Sequence, residues 1–87
     1  MADNIELIIR FHPMGGEDFS VRSKDFGGET EALETIAQLM DERRSVVLRR
    51  ARYDREATEN GMVVVNLANV VSVRVSMKDS STTGQYL

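Results

Sequence analysis

Only one stretch of this chain repeats its apolar residues at helical spacing, and that limits the folds open to it. From about Glu29 to Arg43, Leu33, Ile36, Ala37 and Met40 share a side, with Ala32 and Leu39 widening the stripe. Glu29, Glu31, Glu34, Gln38 and Asp41 lie mostly opposite. Acidic residues crowd the first turn and Arg43 and Arg44 close the last, as the helix dipole favours. Gly28 or Thr30 can serve as the N-cap. A lone amphipathic helix has one stripe to bury, and an antiparallel sheet with one apolar face is its natural partner.

The remaining apolar residues supply that sheet. Ile5, Leu7, Ile9 and Phe11 alternate with Glu6 and Arg10, which predicts a strand over residues 4–11. His12-Pro13-Met14-Gly15-Gly16 ends it, and Phe19 and Val21 alternate with Ser20 and Arg22 on a short return strand. After the helix, Val46, Val47 and Leu48 are consecutive, which predicts a strand covered on both faces at its start. From Arg49 the pattern changes to Arg49-Arg50-Ala51-Arg52-Tyr53, and the strand is expected to run out into solvent. A polar loop over residues 54–61 contains the turn pair Asn60-Gly61. Residues 62–67 form the next strand, and residues 66–69 a turn in which Asn supplies any left-handed conformation. In the last strand, to Met77, Val71, Val73, Val75 and Met77 oppose Ser72, Arg74 and Ser76.

The expected fold is therefore α+β: an antiparallel sheet of about five strands, in the order β-β-α-β-β-β, with one helix on one face. Residues 1–77 form a single domain and residues 78–87 a flexible C-terminal tail. With 87 residues there is room for one core of modest stability. The chain has no cysteine, no visible signal peptide and no apolar run long enough for a bilayer, so a cytoplasmic protein is expected. Nine of its 11 basic residues are arginine, as in a protein from a GC-rich bacterium or phage.

Catalytic signals are few. Without cysteine there is no thiol nucleophile, and His12 is the single histidine, read as an exposed loop residue near Glu17 and Asp18. Gly15-Gly16 and Gly27-Gly28 stand outside any phosphate-loop pattern, and Glu29 and Glu31 repel an anion from the helix start. The carboxylates of residues 54–59 lack calcium-loop spacing. No enzyme activity, cofactor or metal is expected.

Charge is unevenly placed. Residues 43–55 hold six arginines against one aspartate, whereas residues 1–42 hold ten acidic groups against three basic ones. Arg49, Arg50, Arg52, Tyr53 and Arg55 are the candidate partner-binding residues, on a projecting hairpin. Either they contact a partner or they pair with the acidic helix. The Val-rich strands add edges that invite sheet extension, so a self-associating protein-binding module, a homodimer, is the first expectation. Nucleic-acid binding by the same arginines is the alternative. Val65-Asn66-Leu67-Ala68-Asn69-Val70, after a helix, resembles the small Sm-like RNA-binding barrels. In that family the helix opens the fold, whereas here two strands precede it, and no residue role is carried over.

Overall fold

Alternating apolar residues do form strands, and they assemble into one antiparallel sheet. The structure is a computed structural model that describes residues 5–54 and 61–77. In chain order the elements are β1 (Leu7–Pro13), β2 (Phe19–Ser23), α1 (Glu29–Asp41), β3 (Ser45–Tyr53), β4 (Gly61–Asn66), a 3-10 turn (Leu67–Asn69) and β5 (Val70–Met77). The sheet order is β4-β3-β2-β1-β5, so β4 and β5 are the edges and β1 lies beside the last strand. The expected α+β architecture is the one found. The expected tail (residues 78–87) and loop residues 55–60 lie outside the described residues.

One parity of each strand builds the core. Leu7, Ile9 and Phe11 of β1, Val21 of β2, Val46, Leu48 and Ala51 of β3, and Val63 and Val65 of β4 are buried. Ala32 and Ile36 of α1 cover them, with Leu39, Met40, Val73 and Val75 packed against the cluster. Each large side chain fully buried there contributes about 1.5–3 kcal/mol. Phe11 and Phe19 stack across the β1–β2 ladder with ring centroids 5.2 Å apart, and Tyr53 meets Phe19 edge-on at 6.2 Å.

Parity fails once on β3, and a single carboxylate explains how. Leu48 pairs with Val63 and Ala51 with Gly61, so Arg49 and Arg50 together oppose one residue, Met62. This bulge turns both Leu48 and Ala51 inward. Asp25, in the β2–α1 connection, accepts from the Arg49 amide at 2.7 Å and from the Arg50 amide at 3.2 Å. Fully buried Ser23 donates its hydroxyl to the same carboxylate at 2.6 Å. The connection, expected only as a break, thus holds the register of β3 and also buries Phe26.

Several expectations are corrected. Val46 and Leu48 are buried but Val47 is 44% exposed, because the helix covers only one side of β3. β1 continues through His12 to Pro13, since those residues pair with Ser72 and Val70 of β5. His12 is exposed, yet it sits on a strand rather than in the turn. The ladder skips Val71, which is 56% exposed and does not join Val73 and Val75 against the helix.

Helix α1 ends at Asp41 rather than Arg43. Gly28 is its N-cap, and Glu31 reaches back to accept from the Gly27 amide at 3.1 Å. At the other end the Arg44 amide donates to the Leu39 carbonyl and the Arg43 amide to that of Met40. That is the Schellman closure, with Arg43 at φ 56° where glycine is usual. At residues 66–69, Asn66 caps a 3-10 turn by accepting from Ala68, Leu67 is buried, and no Asn is left-handed.

Candidate functional site

The polar parity of the strands forms the face that the helix leaves open. Ile8, Arg10 and His12 of β1 lie beside Ser20 and Arg22 of β2, Arg52 of β3 with Asp54 just past its end, and Ser72, Arg74 and Ser76 of β5. Two pairs of arginines stand directly opposite one another, Arg22 with Arg52 and Arg10 with Arg74. Like charges in that position destabilise a ladder unless something lies between them.

For Arg22 and Arg52 the chain supplies that something. Glu6 reaches Arg22 at 3.5 Å and Arg52 at 3.9 Å, and Asp54 accepts from Arg22 Nε at 2.5 Å. Two cations meet two carboxylates. The Asp54 hydrogen bond, foremost, binds the Arg22 proton more tightly than usual, while desolvation opposes it.

Arg10 and Arg74 are provided for differently. Asp18 accepts from Arg10 Nε at 3.2 Å and lies 2.5 Å from His12 Nδ1. The His12 hydrogen bond is the main influence holding the Asp18 carboxyl below its ordinary value of 3.8, with Arg10 helping and desolvation opposing. A carboxylate acceptor fixes a proton on Nδ1. Arg74 has no ion pair among the described residues. Arg10, His12, Asp18, Ser72, Val73 and Arg74 line a cavity of about 510 Å³. A neighbouring cavity of the same volume is lined by Arg10, Glu17, Asp18, Phe19, Ser20, Tyr53 and Asp54, where carboxylates outnumber cations.

The five residues singled out on the hairpin do not form one surface. Arg49 and Arg50 occupy the bulge, with their amides on Asp25 and their side chains exposed. Arg52 joins Glu6 on the open face, whereas Tyr53 turns the other way toward Phe19. Arg55 lies outside the described residues. Among the described ion pairs none links a hairpin arginine to Glu31, Glu34 or Asp41, because the helix packs on the opposite face. Arg44 pairs with Glu42 at 3.3 Å.

Sequence reasoning missed Arg10, Arg74 and Ser72 as neighbours. Its only available signal was their shared polar parity on the first and last strands. Among the described residues no group of three His, Asp or Glu side chains is arranged to hold a metal, and no helix is long and apolar enough to cross a membrane. No protein-family model, curated protein or solved structure matches the chain.

Proposed function

We propose that this is a small non-catalytic binding module of the cytoplasm, of bacterial or phage type, that associates through its β4 edge, first of all with a second copy of itself. The carrying observation is the contrast between the two sheet edges. β5 bears Arg74 and an irregularity at Val71, both of which discourage strand addition. β4, with sequence Gly-Met-Val-Val-Val-Asn, has neither charge nor proline. On the open face β4 presents Met62 (64% exposed) and Val64 (58%), with Val47 of β3 (44%) beside them. Antiparallel pairing of two β4 edges about a two-fold axis satisfies both rows of backbone groups and brings the two apolar patches together.

The alternative, nucleic-acid binding by Arg49, Arg50, Arg52, Tyr53 and Arg55, has less support, because Tyr53 and Arg52 face opposite sides of the sheet. Light scattering of the purified chain is the test. A concentration-dependent dimer that Val64→Lys turns into a folded monomer is expected. A strict monomer at high micromolar concentration overturns the reading.

A further inference from the structure

We infer that the Arg10–Arg74 pair, with Ser72, is a binding site for one phosphate group, as free phosphate or a phosphomonoester. The site is separate from the β4 edge, lying on the opposite half of the sheet.

The argument starts from the two arginine pairs. They share a face, a cross-strand geometry and a charge, and they differ in what lies between them. Glu6 bridges Arg22 and Arg52, and Asp54 completes their neutralisation. Asp18 touches Arg10 alone, through Nε, and is shared with His12. Both terminal nitrogens of Arg10 and the whole Arg74 guanidinium are left without a protein acceptor among the described residues. Among the described residues, the position Glu6 occupies in one pair has no carboxylate in the other.

The donors around that position fit a phosphate. Two guanidinium forks present planar N–H pairs suited to bidentate contact with phosphate oxygens. The Ser72 hydroxyl lines the same cavity and adds a third donor. The His12–Asp18 hydrogen bond holds the carboxylate on the Nε side of Arg10. The surplus of one cation suits a single anionic group. A nucleic-acid backbone needs a track of cations instead, and here the adjacent pair is already neutralised by Glu6 and Asp54.

Titration of the full chain with inorganic phosphate at constant ionic strength, followed by amide NMR, tests the assignment. Saturable shifts are expected at Arg10, His12, Ser72 and Arg74, with little change at Arg22 and Arg52. Arg74→Gln, which removes charge from an exposed side chain, weakens binding about tenfold, and Ser72→Ala weakens it less. Arg22→Gln leaves affinity within about twofold, because its guanidinium is already occupied. Phosphoserine competes with phosphate for the same amides.

Shifts that never saturate, or that are the same in Arg74→Gln and Arg22→Gln, mean non-specific screening and overturn the site. A short oligodeoxythymidylate that binds through Arg74 while phosphate and phosphoserine do not also overturns it, in favour of a nucleic-acid surface. A chain that stays monomeric yet binds phosphate leaves this inference standing while the β4 reading fails.

Discussion

The two faces of the sheet come from the same strands and differ by a step of one residue. On the covered face, neighbours such as Ile9 and Val21, or Phe11 and Phe19, pack under the helix and exclude water. On the open face, Arg22 meets Arg52 and Arg10 meets Arg74, and ion pairs rather than packing set the arrangement. Stability therefore resides in one parity. The other is free to be tuned for contact, since exposed charges alter the folding free energy little.

The sharpest way to break that contrast is to truncate adjacent residues of β1. Phe11→Ala, at a fully buried ring, is expected to lower the unfolding free energy by about 3–5 kcal/mol. Arg10→Ala, one step away, should lower it by no more than about 1 kcal/mol in the same denaturant titration. Comparable losses at both positions would refute the division between faces.

Asp25 tests how the contrast is maintained along β3. Asp25→Ala removes the acceptor for two amides and for the Ser23 hydroxyl, and is expected to cost about 2–3 kcal/mol. Amide hydrogen exchange at Arg49 and Arg50 should then accelerate well beyond that at Val46. Unchanged protection there would mean that the bulge holds itself.

A smaller effect separates the two arginine pairs. Glu6→Gln removes the carboxylate that bridges Arg22 and Arg52 while Asp54 stays on Arg22, which brings the pair closer to Arg10 and Arg74. In an amide titration, phosphate should then shift Arg22 and Arg52 as well. A Glu6→Gln variant with no new response would show that charge balance does not govern the face.

The smallest effect concerns acid. The folded-state pKa of Asp18 is depressed, so the unfolded chain binds the extra proton first as pH falls. Its stabilisation is complete above the ordinary value of 3.8 and is lost as pH drops through the lower folded value. Asp18→Asn should lower stability slightly at neutral pH, where the contribution is complete, and converge with the parent chain in acid, so that its stability falls less steeply below about pH 4.

The fold was legible because helical and two-residue periodicities do not overlap along this chain. Val46 to Leu48 misled, because three consecutive apolar residues imply two covered faces while the helix covers one. The bulge was not legible, because its cause is Asp25, 24 residues before Arg49 and in what reads as an ordinary turn. Arginine density drew attention to residues 49–55, yet the cross-strand arginine pairs depend on which strands are neighbours. Nothing in local sequence marks β1 as the neighbour of β5, so Arg10 and Arg74 stayed apart until that pairing was known.

That pairing also sets an order of events. Leu7 lies opposite Met77, so β1 gains its second neighbour only after almost the whole described chain has been synthesised. Until β5 arrives, one rim of β1 stays unpaired, and closing so distant a contact is the slow kind of step in folding. Arg10 meets Arg74 only in that final closure. A nascent or truncated chain that has not yet placed β5 lacks this surface, which makes the surface a marker of completed folding.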